Sequence, residues 1–231
     1  MLQSTGKKKI FLFYIIIFIF LSTQITKNYK GKKNSIIRIK NIEVIGLSEK
    51  NNYQISEELK PLLFHNILFV KKEVFEQILK KNNLIESFNI KKFYPNLIKV
   101  RIRKTSFLAI THNDSNKYYI GSNGKLIPFK ELDSFYNNLP FVFSKNNYEN
   151  FIKLKNIIDQ SEFSFEEIDS FYYFPSNRWD IKTKNGLLIK LPEKNILQSL
   201  RTAYIIQKNE NFKNKTIIDL RITNQIITNN E

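Results

Sequence analysis

The sequence predicts an α+β fold: a single apolar N-terminal helix, a strand-helix-helix-strand-strand unit, and a strand-rich unit with flanking helices. Three observations carry that expectation. Residues 10–21 are apolar without interruption, residues 42–102 switch between helical spacing and strict alternation, and past residue 107 two turn-marked hairpins are interleaved with two helical stretches. Of 231 residues, 42% are hydrophobic and 25% charged, the balance of a chain that buries a core.

The N-terminal run reads IFLFYIIIFIFL and stays uncharged through Thr26, bracketed by Lys9 and Lys27. A transmembrane helix over residues 10–26 is short for the hydrocarbon layer, but flanking lysines extend its reach by snorkelling. The following LSTQIT lacks the small-residue pattern of a cleavage site, so an uncleaved anchor is expected rather than a removed signal peptide. Lys7, Lys8 and Lys9 on one side face Lys27, Lys30, Lys32 and Lys33 on the other, so the positive-inside count leaves the orientation open. Residues 1–9 form a short tail, and residues 27–35, polar and basic, read as a juxtamembrane linker.

The first folded unit spans residues 36–106. Ile42 and Val44 alternate with charged residues before Gly46, as in a half-buried strand that ends in a turn. Ile55, Leu59, Leu62 and Leu63 share a helical face that Pro61 should cut short. Val74, Phe75, Ile78 and Leu79 mark a second helix over residues 72–81, stopped at Asn82 and Asn83. Two strands follow around a turn at Tyr94, Pro95 and Asn96. Ile90 lies on the first, and Ile98, Val100 and Ile102 alternate with Lys99, Arg101 and Arg103 on the second.

The second unit spans residues 107–231. Residues 118–129 form a hairpin about Ser122, Asn123 and Gly124, and residues 179–191 another about Asn185 and Gly186, where Asn-Gly favours a tight turn. Helices are predicted over residues 148–160, with Phe151, Leu154, Ile157 and Ile158 on one face, and over residues 193–208, with Leu197, Leu200 and Tyr204, where Pro192 marks the start. Residues 216–227 read as one last strand: Ile218, Leu220 and Ile222 point one way, and Asp219, Arg221, Thr223 and Gln225 the other. Only four residues follow Ile227, so the far edge of that strand is expected to be open. An unpaired edge is a template for another chain's strand.

Several function classes are disfavoured. The chain has no cysteine, which excludes a disulfide framework, a thiolate zinc site and a thiol nucleophile. His65 and His112 lie far apart, without a carboxylate cluster at ligand spacing, and Asp180 and Asp219 are isolated acids; no catalytic residue, metal or cofactor is expected. The net charge of +16 would suit a polyanion. Its lysines are scattered, however, and Lys, Asn, Ile and Phe are abundant throughout, so neither a nucleic-acid partner nor a small-molecule substrate is expected.

The order of these parts, with several local motifs, resembles the FtsQ/DivIB family of bacterial cell-division proteins. Ile42-Glu43-Val44-Ile45-Gly46 is similar to the opening strand of that family's POTRA domain, and the run from Lys92 through Tyr94, Pro95 and Asn96 to Val100 to its closing hairpin. Arg178-Trp179-Asp180, Asn185-Gly186, Leu191-Pro192 and Ile218-Asp219-Leu220-Arg221 resemble its β domain. Two departures stand out. Arg103, Lys104 and Ser106 occupy a place where the family usually has an acid, a base and soon a proline, and Ile222 stands where an aromatic is common.

The resemblance implies a POTRA-like (β-α-α-β-β) domain followed by an FtsQ-type β domain. It further implies a single pass of the inner membrane with residues 1–9 cytoplasmic and the bulk periplasmic, at the division septum. No enzymatic activity is implied. The implied partners are FtsB and FtsL, with the FtsW/FtsI complex of septal peptidoglycan synthesis beyond them. The expected partner-binding residues are Asp219, Leu220, Arg221, Ile222, Thr223, Asn224 and Gln225. A POTRA-bearing accessory for outer-membrane protein assembly or export is the alternative, although that class usually carries several such units and a membrane barrel.

Overall fold

A computed structural model of the chain describes residues 5–27, 37–113, 116–129, 138–144, 148–210, 214–222 and 225–229. Its first element is helix α1 (Thr5–Lys27). Within it, the apolar side chains from Ile10 to Leu21 are 37–74% exposed, so none is folded into a core. Among the described residues no helix is long and apolar enough to cross a membrane.

The first unit runs β1 (Asn41–Ile45), α2 (Glu49–Leu59), α3 (Lys72–Leu79), β2 (Ile85–Phe93) and β3 (Leu97–Lys104), the order the periodicities predict. Its sheet is ordered β1-β3-β2. β1 lies parallel to β3 with Val44 opposite Val100, and β2 is antiparallel to β3. A parallel pair cannot be closed by a tight turn, which is why two helices intervene. Pro61 ends α2 as expected, and the chain tightens into a 3-10 turn over Lys60–Leu62 because proline offers no N–H to the α ladder. Ile55, Leu59, Phe75, Leu79, Ile98 and Val100 form the core between helices and sheet. Val74, expected on the inner face of α3, is 37% exposed. The helix turns Phe75, Ile78 and Leu79 inward, and a residue one place before them falls outside that stripe.

The second unit contains β4 (Phe107–Asn113), β5 (Asn116–Gly121), β6 (Leu126–Pro128), β7 (Phe141–Phe143), α4 (Tyr148–Asp159), β8 (Ile168–Phe174), β9 (Arg178–Thr183), β10 (Leu188–Lys190), α5 (Ile196–Lys208), β11 (Ile217–Asp219) and β12 (Ile227–Thr228). All nine strands join one sheet, ordered β12-β11-β10-β9-β8-β7-β4-β5-β6. Both predicted hairpins form, with Gly124 at φ 73° and Gly186 at φ 90°, a region glycine enters without a Cβ clash. The helix predicted from residue 193 starts instead at Ile196, after Asn195 at φ 61°. Asn tolerates the left-handed region, so the chain reverses there, and Pro192 belongs to the preceding loop.

Helices α4 and α5 contribute to one apolar cluster with the sheet. Phe151, Phe171 and Trp179 interlock there, with ring centroids 5.2–6.4 Å apart. A smaller cluster of Ile110, Tyr119 and Ile127 packs against Leu84, which comes from the first unit.

Around Leu84 the units are pinned by hydrogen bonds. Asn123 donates through Nδ2 to the carbonyls of Asn83 and Ile85, both at 3.0 Å. Ser122 Oγ donates to Glu86 Oε2 at 2.6 Å, and Asn83 Nδ2 to the Leu126 carbonyl at 2.8 Å. The turn between β5 and β6 thus serves as a clasp on the loop before β2.

Candidate functional site

The large sheet has two margins of different character. At one end β6 carries Pro128, which offers no N–H, and its Leu126 carbonyl accepts from Asn83. Such an edge is blunted. At the other end stands β12, and its geometry revises the expectation of one long final strand over residues 216–227. The strand is interrupted: β11 covers Ile217–Asp219 alone, a turn closes with Gln225 N donating to the Ile222 carbonyl at 3.2 Å, and β12 returns antiparallel along β11. Ile218 faces Thr228 and Asp219 faces Ile227. The outer edge of β11, expected open, is therefore covered by the chain's own residues. The pattern already breaks within Ile222-Thr-Asn-Gln-Ile226-Ile227. Alternation would place Asn224 in the core, and two adjacent isoleucines cannot share one face of a strand.

Backbone directions follow from three contacts. Leu188 N donates to the Thr216 carbonyl and Leu220 N to the Lys190 carbonyl, at 2.8 and 2.9 Å, so residues 216, 218 and 220 address β10. Ile217 and Asp219 then address β12, and Asn229 Oδ1 indeed accepts from Ile217 N at 3.0 Å. Ile227, opposite Asp219, points its N–H and C=O inward to β11. By the two-residue alternation of a strand, the backbone groups of Ile226 and Thr228 point outward.

The side chains expected to contact a partner divide into distinct environments. Leu220 is buried and belongs to the apolar cluster beneath α5. Asp219 is 8% exposed and clasped by Arg221, whose Nε donates to Oδ1 and Oδ2 at 2.8 and 2.9 Å and whose backbone N–H donates to Oδ1 at 3.1 Å. Burial pushes the Asp219 carboxyl up, but these Arg221 contacts outweigh it and hold the group below the usual carboxylate range. The guanidinium is held more firmly protonated in return. Ile222 and Gln225 are exposed, and Thr223 and Asn224 lie outside the described residues.

Sequence reasoning placed Ile226 and Ile227 on the last strand but not among the contact residues, and it missed Thr228. Ile222, Ile226 and Ile227 are 52%, 49% and 49% exposed, an apolar fringe on the margin. Beside it a groove of about 590 Å³ runs between the start of α5 and the turn, lined among others by Asn195, Ser199, Ile222 and Ile226. On the opposite sheet face Asp180, Lys190 and Asp219 form one cross-strand row. Asp180 Oδ1 is buried without a hydrogen-bond partner among the described residues, and burial raises its carboxyl despite Lys190, Arg178 and Arg221 nearby. Among the described residues no group of three metal-ligating side chains comes together.

Margin, fringe and groove present main-chain donors and acceptors beside apolar surface, which are the elements of recognition by strand pairing. They sit at the end of a two-unit α+β chain preceded by an apolar helix. Residues 109–221 match the family model described as "Cell division protein FtsQ/DivIB, C-terminal". A curated relative named Cell division protein FtsQ, from Rhizobium radiobacter, is 24% identical over 147 residues, which cover 61% of this chain and 68% of the relative. Another FtsQ, from Agrobacterium fabrum, is also 24% identical over 147 residues and is covered over 45% of its length. Residues 109–221 are therefore a C-terminal domain of the FtsQ/DivIB family of cell division proteins, and the relatives named FtsQ agree with that assignment. The major extracytoplasmic domain of the trans isomer of the bacterial cell division protein DivIB from Geobacillus stearothermophilus aligns with 45% of this chain and 92% of its own, at 10% identity and a TM-score of 0.34.

Proposed function

We propose that this protein is a division scaffold anchored by α1 in the inner membrane, which receives a strand of FtsB, in complex with FtsL, along the outer edge of β12. Through that contact it helps control septal peptidoglycan synthesis by the FtsW/FtsI complex; it is not an enzyme. The first unit acts as a POTRA domain and stands with the second in the periplasm, while residues 1–9 stay cytoplasmic. The apolar run of α1, exposed from Ile10 to Leu21, is by itself short of a full span; the uncharged residues through Thr26 and the bracketing Lys9 and Lys27 lengthen its reach by snorkelling and support the anchor.

One observation carries the partner-binding reading: the outward backbone groups of Ile226 and Thr228 on a terminal strand, flanked by exposed isoleucines. Main-chain pairing there supplies affinity, and side-chain alternation supplies register. Of the expected contact residues, Ile222 and Gln225, at the two ends of the turn, flank the incoming strand. Asp219 and Arg221 stiffen that turn, and Leu220 anchors it in the core.

Replacing Thr228 by proline removes one outward N–H while leaving the inward pairing of Ile227 intact. We expect Thr228→Pro to fold normally by circular dichroism and to lose about tenfold or more in FtsB capture, since one main-chain bond and the adjoining fit are lost. Full capture by the folded variant refutes pairing along β12.

A further inference from the structure

Six of the exposed large hydrophobic side chains outside α1 gather at one end of the first unit: Ile37, Phe64, Leu68, Phe69, Phe93 and Tyr94, at 37%, 70%, 49%, 78%, 45% and 61% exposure. Three segments bring them together. Ile67 N donates to the Ile37 carbonyl and Phe64 N to the Ile39 carbonyl, at 2.9 and 2.8 Å. Lys40 N donates to the Asn96 carbonyl at 2.8 Å, and Lys92 Nζ to the Val70 carbonyl at 2.7 Å. Phe64 is held at φ 68°, a left-handed conformation that bulky residues rarely adopt. The loop thus keeps aromatic side chains in solvent in spite of both backbone strain and the hydrophobic effect, which is unusual for a surface with no use.

We propose that this end of the first unit lies on an anionic phospholipid surface, inserting Phe64, Leu68 and Phe69 at the level of the headgroups. Two features select that occupant. The patch is where the chain arrives from α1: nine residues, 28–36, separate Lys27 from Ile37, and so short a stretch spans at most about 30 Å. The segments 37–41, 64–71 and 91–97 also contain Arg38, Lys40, Lys71, Lys91 and Lys92 and no acidic residue; the acids nearest along the chain are Glu43 in β1, paired with Lys99 at 2.9 Å, and Glu73 in the opening turn of α3. Aromatic and aliphatic tips ringed by lysine are the composition of an interfacial contact, where apolar insertion and attraction to anionic headgroups act together. The inference rests on the membrane-anchored reading above.

The test uses the full chain carrying Phe69→Trp, a change at an exposed position, reconstituted in vesicles of phosphatidylcholine with about 30 mol% phosphatidylglycerol and in matched vesicles with brominated acyl chains. The expected result is blue-shifted emission from the new indole, quenched at least about twofold by the brominated lipid after subtraction of the Trp179 signal, and weakened when phosphatidylglycerol is omitted. Emission typical of an aqueous indole and indifferent to bromine, in a chain that an alkaline wash leaves in the vesicles, overturns the docked loop while the anchor stands. Quenching in a chain that the same wash removes supports the loop and refutes the anchor. A chain that never associates with vesicles refutes both.

Discussion

Asp180 and Asp219 flank Lys190 in one cross-strand row, yet their carboxyls shift in opposite directions. Asp219 is depressed, so its contribution to stability is fully present above the ordinary carboxylate range, near pH 4, and is lost as pH falls through its folded value. Asp219→Asn should lower unfolding free energy at pH 7 by about 1–2 kcal/mol, the worth of a charge-assisted pair discounted for the partly exposed guanidinium. Urea titrations of the variant and the wild type should converge at acid pH, once Asp219 is protonated in the folded state as well. Asp180 is raised, so the sign reverses: its ionised form opposes folding, and stability from this group increases as pH falls through its folded value. Asp180→Asn should therefore be neutral or stabilising at pH 7, and a large loss there would show that the buried carboxylate has a partner.

Gly46 makes a different demand on its position. It sits at φ 119°, and a Cβ built there would stand 1.8 Å from the Ile102 carbonyl oxygen. Backbone cannot yield as a side-chain tip can, and the conformation itself is strained for any other residue. Gly46→Ala should cost about 3 kcal/mol or more, read as a drop in the unfolding midpoint of the first unit. Preserved stability would mean that β3 shifts away from the turn.

At the scale of elements, the consequential feature is a two-residue strand. Among the described residues β12 pairs with β11 through Ile227 and Thr228, with Asn229 extending the contact by accepting from Thr216 N and Ile217 N and donating to Thr216 Oγ1. So short a ladder is near the limit of stability alone, and a partner strand on its open side would consolidate it. Ile227→Pro gives the converse of the outward proline test. It removes an inward N–H, so β12 should detach from β11, visible as faster amide hydrogen exchange at Ile217 and Asp219. Unchanged protection at those amides would contradict the backbone directions derived above.

Across the whole molecule, the two units are held in a set relation by Asn83, Glu86, Ser122 and Asn123 around Leu84. That clasp fixes where the β12 margin stands relative to the end of the first unit that carries Ile37. Asn123→Ala deletes two donated bonds and should cost about 1–2 kcal/mol, while broadening the distribution of distances between spin labels placed one on each unit. A distribution as narrow as that of the wild type would assign the rigidity to the Leu84 contact alone.

Much of this architecture was legible in the residues. The alternation of Ile98, Val100 and Ile102, the helical stripes of α2 and α4, the Asn185-Gly186 turn and the effect of Pro61 all express constraints that act within a few residues of chain. Order and type of the first unit's elements, the two hairpins and two helices of the second, and the family resemblance carried by motif order follow from such local constraints; strands β7 and β8 and the return of β12 do not. The margin of the large sheet is another matter. Whether residues 216–227 are one strand or two, which edge is sealed, and that Asn83 and Pro128 blunt the far end are settled by pairings between segments distant in sequence. So is the gathering of Phe64, Phe69 and Tyr94 beside the point where the chain arrives from α1. Periodicity encodes which side of an element faces the core; it carries no information about which neighbour lies along the hydrogen-bonding direction, and that choice is made by the competition of whole segments for the same row of N–H and C=O groups.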